Sequence, residues 1–222
     1  MTGPPGAPLP AWGHDEDLIA DLRADARPRA RAYAWPPADA PLVAVVVGRG
    51  GDPAVEVDLA AARADDVPVL RRRGGGCAVV LDPGNVIVSL ALPLAGVGGI
   101  TSAFATISAW LIGALARCGL PGVRPEGTSD LALAERKVGG SCLWRTKGLV
   151  YYSTTLLVAP DLALAHRYLP HPPREPAYRA GRPHRDFMGS LRELDRSLTP
   201  AELVLRLCPY LRELPRPDLP HA

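Results

Sequence analysis

The chain has 222 residues, of which 47% are apolar and 22% are charged, and its formal net charge is +2. This composition excludes an intrinsically disordered chain and allows either one large domain with a substantial core or two small domains. A net charge of this size does not by itself indicate a nucleic-acid or membrane partner.

The cysteines and the N-terminus indicate the cellular compartment. The four cysteines, at positions 77, 118, 142 and 208, form no CxxC pair and have no zinc-ligand spacing with histidine. Free thiols are typical of a reducing compartment. Residues 1–18 lack the basic and apolar regions of a secretory signal, and no run of about 18 uncharged apolar residues is present to span a bilayer. We therefore expect a cytoplasmic protein with no membrane or nucleic-acid partner.

The N-terminal part is predicted to contain a flexible segment, two helices and a strand. Residues 1–12 are rich in proline and glycine, which predicts flexibility. Three consecutive acidic residues favour a helix start within 14–32, and Pro28 limits the length of that helix. The β-branched run in 41–50 predicts a strand closed by glycines, and the alanine-rich stretch 55–66 predicts a helix.

The middle of the chain is predicted to be rich in strands. A short strand at 67–71 is followed by apolar strands at 77–81 and 85–92. The Asp-Pro-Gly turn between the last two predicts a hairpin, because proline and glycine suit the backbone angles of a tight turn. The apolar stretch 100–122 predicts a helix packed on a sheet, since it is too hydrophobic to face solvent.

The remaining elements complete an α+β pattern. Strands are predicted at 129–144 and 148–159, joined by a turn at Thr146–Gly148, and a short helix at 160–169. A long polar connection at 170–190 then leads to an amphipathic helix at 199–214 and a frayed tail at 215–222. Regular alternation of strands and helices is absent. We therefore predict one domain over 13–214 with a mixed, largely antiparallel sheet flanked by helices.

The stretch "RRRGGGCAVVLDPGN", from Arg71 to Asn85, indicates an anion site. A solvated charged edge and an ordinary loop would have the same composition. The loop leads directly into a buried strand, however, and glycines permit close approach of a ligand. Consecutive backbone N–H groups can form an anion-binding concavity, and a neighbouring guanidinium adds bidentate recognition of carboxylate or phosphate. The pattern is neither a Walker loop nor a GxGxxG fingerprint.

A second candidate segment places Lys137 before two glycines and between apolar strands. A surface lysine at a strand end is the commoner situation. The alternative is a lysine whose ammonium neutralises a phosphate or polarises a carbonyl over a cleft. Asp130 precedes it by seven residues and is suited to a ribose hydroxyl, to Mg²⁺ or simply to capping a turn.

Together these segments resemble the lipoate-protein ligase family of the biotin/lipoate ligase superfamily. That family's first motif is an Arg-Arg pair, a glycine run and a strand ending in Asp-x-Gly-Asn, which corresponds to 71–85. Its second, an Asn-Asp-Leu-like segment followed by Lys-[Val/Ile]-x-Gly-Ser, corresponds to Ser129–Leu131 and Lys137–Ser141. A third, arginine-rich motif corresponds to "YRAGRPHRDFMGSL" at 178–191. The resemblance covers residues 40–191 in the same order and spacing.

The resemblance implies a biotin/lipoate ligase catalytic-domain fold, similar to class II aminoacyl-tRNA synthetases. It implies ATP-dependent and Mg²⁺-dependent activation of lipoate or octanoate to an acyl-adenylate. The acyl group then passes to a lysine of a lipoyl carrier domain, such as that of a 2-oxoacid dehydrogenase E2 or a glycine-cleavage H-like protein. The apolar strands at 85–92 and 149–158 would line the acyl tunnel, although plain core packing is an equal reading of each residue.

The resemblance also implies individual roles. Lys137 is the catalytic residue, because an ammonium there stabilises the negative charge that develops during attack. Asp130 faces the nucleotide directly or as a ligand of Mg²⁺. The residues implied to bind the acyl substrate are Arg72, Gly75, Gly76, Cys77, Gly139, Gly140, Ser141 and Thr154. The residues implied to bind the nucleotide are Arg71, Gly74, Asp82, Asn85, Asp130 and Lys137.

The sequence departs from the family pattern in four respects. Cys77 replaces the third glycine of the run, with an extra glycine at Gly74, and Ser129 replaces asparagine. The family's His-His-Gly-Thr segment is "YYST" at 151–154. We expect no full accessory C-terminal domain, and therefore either a short self-sufficient ligase or a ligase that needs a second polypeptide.

Two other functions remain open. Relatives of this fold transfer octanoate from acyl-carrier protein through a cysteine nucleophile. The two regions that carry this cysteine, 121–136 and 167–184, contain none here, which favours the ligase without excluding an unusual transferase that uses Cys142. The third possibility is a non-catalytic protein that binds lipoate or lipoyl domains.

Overall fold

The computed structural model describes residues 8–94 and 99–216. Within them, six strands form a large antiparallel sheet in the order β1-β5-β9-β8-β7-β6, and three form a small sheet in the order β3-β2-β4. The strand bounds are β1 Arg29–Ala34, β2 Ala44–Val47, β3 Val69–Arg71, β4 Val79–Leu81, β5 Asn85–Leu94, β6 Val123–Glu126, β7 Asp130–Leu133, β8 Arg136–Thr146 and β9 Gly148–Leu157. The predicted α+β class with a largely antiparallel sheet is confirmed.

The helices lie on the sheets and in their connections. Their bounds are α1 Glu16–Asp25, α2 Pro53–Glu56, α3 Leu59–Ala64, α4 Ile100–Arg117, α5 Leu162–Tyr168, α6 His184–Phe187 and α7 Pro200–Leu207. Short 3₁₀ turns lie at Ala177–Arg179, Leu191–Glu193 and Tyr210–Arg212. The predicted helix at 199–214 therefore ends at Leu207.

The main core lies between one face of the large sheet and α4. Residues three or four apart on this helix (Ile107, Leu111 and Leu115) are fully buried, as expected for one apolar stripe of a 3.6-residue period. Every second residue of β5 from Val86 packs against them. By length and composition alone, α4 is long and apolar enough to cross a bilayer, although the sequence contains no uncharged apolar run of that length. In this fold its apolar stripe covers the sheet.

The opposite face of the large sheet holds the candidate site. It is covered by α1, whose Leu18, Ile19 and Leu22 pack with Ala91 and Tyr151, and by part of the small sheet. Strand pairing aligns the residues of this face in rows across the sheet. One row contains Ile87, Thr155, Gly140 and Asp130, and the next contains Ser89, Ser153 and Cys142.

The predicted hairpin between the strands at 77–81 and 85–92 is wrong. β4 pairs with β2 in the small sheet, whereas β5 pairs with β1 and β9 in the large one. The turn changes sheets because the Gly84 carbonyl accepts hydrogen bonds from Val158 and Ala159. A Cβ on Gly84 would lie 1.9 Å from the Ala159 oxygen, so only glycine fits this contact.

Other boundaries also differ from the sequence predictions. The helix expected within 14–32 ends at Asp25, and the chain then forms β1 at the edge of the large sheet. The helix expected at 55–66 is two helices, because the Asp58 carboxylate accepts hydrogen bonds from two amides and caps a new start. The strand expected at 129–144 is two strands, β7 and β8, joined by a tight turn.

The predictions for the two ends of the chain can be compared with the structure only in part. Within the segment predicted to be flexible, Trp12 is buried and the Pro10 carbonyl accepts a hydrogen bond from the Arg71 amide. Residues 10–12 are therefore tied to β3, while 1–7 lie outside the described residues. Of the predicted frayed tail, 217–222 also lie outside them.

We predict that Leu111→Ala lowers the free energy of unfolding by about 2–5 kcal/mol, because it removes a fully buried side chain and leaves a cavity beneath the sheet. Leu205→Ala is the matched control, since Leu205 lies on α7 with 71% of its surface exposed. Urea denaturation measures both. Equal losses for the two variants would contradict the assignment of α4 to the core.

Candidate active site

The glycine loop at 74–77 turns its carbonyl groups inward. The Arg72 guanidinium donates to the Gly75 oxygen at 2.7 Å and to the Cys77 oxygen at 2.8 Å. It also donates to the Val46 oxygen of β2 at 2.9 Å. The Gly74 oxygen accepts from the Arg49 amide at 2.9 Å. Arg72 therefore acts on the loop itself and fixes its shape.

The N–H groups of the same loop have no acceptor within the part of the chain that the structure describes. Across residues 8–94 and 99–216, no oxygen accepts a hydrogen bond from the amides of Gly75, Gly76 or Cys77. Gly75 and Gly76 are exposed, and Gly76 has a positive φ of 89°. A run of free amides beside inward carbonyls is the arrangement that binds an anion. The loop has the donors that an anion would need, and its predicted anion-binding role stays a prediction.

Arg71 supports the loop from behind. Its guanidinium donates to the carbonyls of Gly48, Arg49 and Gly51 at 2.8–3.1 Å. Gly48 in turn lies against the glycine loop, because a Cβ there would be 2.0 Å from the Gly76 oxygen. The structure thus places Arg71 in the support of two loops, and its predicted role as a nucleotide ligand stays a prediction.

The glycine loop sits directly on β8. A Cβ on Gly74 would lie 2.6 Å from Cys142 Sγ, so the missing side chain is what allows the contact. Cys142 is two residues beyond Gly140 on the same face of the strand, a separation of about 7 Å. The loop therefore lies on the same face of β8 as Gly140.

Lys137 lies over Gly140 on that face of the sheet. Its Nζ forms an ion pair with Asp130 Oδ1 at 2.7 Å, and the Lys137 side chain is 24% exposed. A Cβ on Gly140 would lie 3.0 Å from the Lys137 Nζ, so glycine leaves room for the ammonium. The Tyr178 hydroxyl donates to the other Asp130 oxygen at 2.9 Å. Burial and the Asp130 carboxylate raise the pKa of Tyr178, which keeps its proton on the donor.

Three predicted substrate-binding residues lie on the other face of the sheet. Ser141 contacts the hydroxyls of Tyr152 and Thr154, and Tyr152 packs against Phe104 of α4. Gly139 faces Leu131 and Leu156 of the main core. The structure therefore does not bring Gly139, Ser141 and Thr154 together with Lys137, and their predicted roles in binding stay predictions.

Asp82 and Asn85 build the turn that joins the two sheets. Asp82 accepts from the Gly84 amide at 2.6 Å, and Asn85 accepts from the Asp82 amide at 3.0 Å. Both side chains are buried, and burial raises the pKa of the Asp82 carboxyl. Their hydrogen bonds explain the Asp-Pro-Gly-Asn pattern structurally. Nothing in this geometry requires a nucleotide, so that role also stays a prediction.

The two cysteines of the site differ in environment. Cys142 is buried under Gly74, and burial raises the pKa of its thiol, although the neighbouring Arg72 opposes that rise. A thiol with a raised pKa is a weak nucleophile at neutral pH. Cys77 is half-buried at the end of the glycine loop, with its Sγ 3.7 Å from the Arg174 carbonyl.

Comparison with known proteins identifies the family of this chain. The model of the lipoyl protein ligase A/B catalytic domain matches residues 7–212. The chain belongs to the lipoyl protein ligase A/B catalytic-domain family. A putative lipoate-protein ligase A from Aeropyrum pernix is 34% identical over 127 residues, which are 57% of this chain and 47% of that protein. The chain spans about a third to a half of the length of the curated relatives it matches.

Solved structures of lipoate-protein ligases share the fold. A lipoate-protein ligase A bound with ATP superposes with a TM-score of 0.74 at 22% identity, covering 90% of this chain and 77% of the other. A bipartite lipoate protein ligase from Thermoplasma acidophilum, studied with its E2 lipoyl domain, gives a TM-score of 0.73 at 23% identity over 90% and 75% of the two chains. The predicted fold type and family are therefore confirmed.

The Mg²⁺ ion implied by this family does not fit Asp130 in the present geometry. Both oxygens of Asp130 are engaged, one by the Lys137 ammonium and one by the Tyr178 hydroxyl. Across the described parts of the chain, no three His, Cys, Asp or Glu side chains form a metal-binding group. We therefore assign no chemistry here to a metal held by Asp130.

The sequence did not single out two residues of the site. Tyr178 and Arg179 lie in the connection at 170–190, which was predicted to be a polar loop. Arg179 is only 4% exposed. The third family-like motif includes both residues, so its "YR" pair was the available signal. Their burial depends on packing against Asp130 and Phe187, which the sequence does not reveal.

We predict that Gly74→Ala destabilises this ligase-family fold by about 1–3 kcal/mol, because the new methyl group would overlap Cys142. Gly75→Ala is the neighbouring control. A Cβ there would have no atom within 4 Å and the residue has no positive φ, so we expect little change. Urea denaturation compares the two. If Gly75→Ala costs as much as Gly74→Ala, the seating of the loop on β8 is wrong.

Proposed function

We propose that the chain is an ATP-dependent lipoate-protein ligase that activates lipoate or octanoate as an acyl-adenylate. The observations that carry this proposal are the free amides of 75–77, in a loop that contacts β8 at Cys142, and the Lys137 ammonium over Gly140 on the same face of that strand. Both substrates are anions, so bringing a carboxylate against a triphosphate requires positive charge and N–H donors on several sides. The catalytic-domain match and the ATP-bound structural neighbour support the same reaction.

The reaction has two steps. In the first, a carboxylate oxygen of the acid attacks the α-phosphorus of ATP, an O–P bond forms and pyrophosphate leaves. In the second, the neutral amine of a carrier lysine attacks the acyl carbonyl and an amide forms, while the bond from the acyl carbon to the phosphate oxygen breaks, AMP leaves and the amine releases a proton to solvent. Lys137 stabilises the negative charge on the phosphoryl and carbonyl oxygens in both steps. Asp130 holds the ammonium over Gly140, and the loop amides bind the remaining anionic oxygens.

The partner we propose is a lipoyl carrier domain of the E2 or glycine-cleavage H-like type, with the reaction located in the cytoplasm. The Thermoplasma ligase studied with its E2 lipoyl domain supports the first of these partners. That ligase is bipartite, which supports the further proposal that a second polypeptide completes this one. Mg²⁺ would accompany the nucleotide, bound chiefly by phosphate oxygens.

The octanoyltransferase alternative would need a reactive cysteine. Burial and the raised pKa of Cys142 disfavour that residue as the nucleophile. Lipoate-dependent pyrophosphate release from ATP separates the three possible functions. A ligase releases pyrophosphate without a carrier. A transferase releases none but takes octanoate from acyl-carrier protein, and a binding protein does neither.

We predict that Lys137→Ala lowers lipoate-dependent pyrophosphate release at least 100-fold, which corresponds to a loss of about 2.7 kcal/mol or more of transition-state stabilisation. The chain contains only two lysines, Lys137 and Lys147. Lys147 is exposed at the turn between β8 and β9, so Lys147→Ala is the matched control and should keep full activity. Circular dichroism checks that both variants fold. Full activity in folded Lys137→Ala would overturn the site assignment.

A further inference from the structure

Lys137 lies on the same face of the sheet as Gly140 because β8 contains a bulge. Two consecutive residues of β7 pair with Gly139 and Lys137, so Val138 is skipped in this pairing. Val138 and Gly139 consequently both face the main core, whereas side chains of a regular strand alternate between the two faces. Regular alternation back from Gly140 would turn the Lys137 side chain into the core.

The backbone on both sides of the bulge is held by hydrogen bonds from other parts of the chain. The Lys137 carbonyl accepts from the Gly189 amide at 2.7 Å. The Gly140 carbonyl accepts from the Thr154 hydroxyl at 3.2 Å. Glycine permits many backbone conformations, so the hydrogen bond from Thr154 restricts a peptide that has no side chain of its own to hold it.

Buried hydroxyl groups fix the direction of this donor. Ser141 Oγ lies 2.7 Å from the Tyr152 hydroxyl and also contacts Thr154 Oγ1. Thr154 donates its one hydroxyl proton to the Gly140 carbonyl, so it accepts from Ser141. Ser141 in turn accepts from Tyr152. Burial raises the pKa of Tyr152, which keeps the phenol protonated and able to donate. Tyr152, Ser141 and Thr154 therefore form a hydroxyl chain that ends on Gly140.

The end of the hydroxyl chain lies directly behind the ammonium. A buried network in which every donor has an acceptor holds its members in one arrangement. Thr154 is 1% exposed, so water does not replace its hydrogen bond. A Cβ on Gly140 would lie 3.0 Å from Lys137 Nζ. A small displacement of the Gly140 backbone thus changes the space for the ammonium and its distance from Asp130.

We propose that Thr154 is a positioning residue that acts through Gly140 and the bulge to hold the Lys137 ammonium in place. It does so from the core face of the sheet, opposite the site. The inference rests on the proposed function for the part that Lys137 plays in the reaction. The position of the ammonium itself can be measured without any substrate.

The direct test is the ¹⁵N–¹H signal of the Lys137 ammonium, recorded on the full chain without ligands. The chain has only two lysines, so Lys137→Arg assigns the signal. An ion-paired ammonium exchanges its protons with water slowly, which keeps its signal sharp. We expect Thr154→Val to shift and broaden this signal, because the Gly140 carbonyl loses its donor at nearly constant side-chain volume. Thr154→Ser should restore the signal, and that of Lys147 should not change.

Ser108→Ala is the matched control. Ser108 Oγ lies 3.4 Å from the Tyr152 hydroxyl, at the far end of the hydroxyl chain, so this variant leaves the links from Tyr152 to Gly140 intact. Both variants remove a buried hydroxyl, but only Thr154→Val should alter the Lys137 signal. Equal changes in the two variants, or no change in either, would overturn the inference. If Thr154→Val does not fold, Thr154→Ala tests the same hydroxyl.

Steady-state kinetics connect this position to the reaction. We expect Thr154→Val to lower kcat for lipoate-dependent pyrophosphate release about tenfold, with KM for lipoate within about twofold of wild type, and Thr154→Ser to recover kcat. An altered Lys137 signal with full kcat would reject the role in the reaction. No pyrophosphate release by the wild type would reject only the ligase proposal, because the ammonium signal still tests the positioning. Wild-type release with an unchanged Lys137 signal in Thr154→Val would keep the ligase and reject the role of Thr154.

Discussion

The contact between Gly74 and Cys142 is the constraint on which the candidate site depends. It joins a loop of the small sheet to the central region of the large sheet, and it exists because Gly74 has no Cβ. Arg72 turns the loop carbonyls inward, which leaves the amides of Gly75 and Gly76 free. The loop is consequently held against the face of β8 that carries Gly140, over which the Lys137 ammonium lies. Without the contact, this loop of the small sheet would not be held near Lys137 of the large sheet.

One carboxylate, that of Asp130, holds the neighbouring charged and polar side chains of the site in position. Asp130 pairs with Lys137 and accepts a hydrogen bond from Tyr178, so it fixes both the ammonium and the segment that carries Arg179. Partly buried ion pairs of this kind contribute little net stability, because desolvation offsets much of the attraction. The ion pair between Lys137 and Asp130 instead fixes the position of the ammonium. It holds a cation over a glycine, where an anionic substrate has room to replace solvent.

Local patterns predicted most elements but not how they associate. The strands at 85–92 and 148–159 follow from their apolar runs, whereas the Asp-Pro-Gly turn suggested a hairpin that tertiary contacts of Gly84 prevent. The motif "KVGGS" identified Lys137. Which residues share its face was unpredictable, because an irregularity in the β7–β8 pairing at Leu131 and Ala132 shifts the register. The burial of Arg179 in the 170–190 connection was not predicted, because the segment is held in place by the hydrogen bond from Tyr178 to Asp130, which is distant in sequence.

We propose that an anionic substrate binds on the loop-facing side of the large sheet, between the glycine amides and Lys137. An amide NMR titration with a non-hydrolysable acyl-adenylate analogue tests this directly. We expect the Gly75 and Gly76 amide resonances to shift strongly downfield, while those of Ser141 and Thr154 on the opposite face move little. Large shifts at Ser141 and Thr154, with Gly75 and Gly76 unchanged, would contradict it.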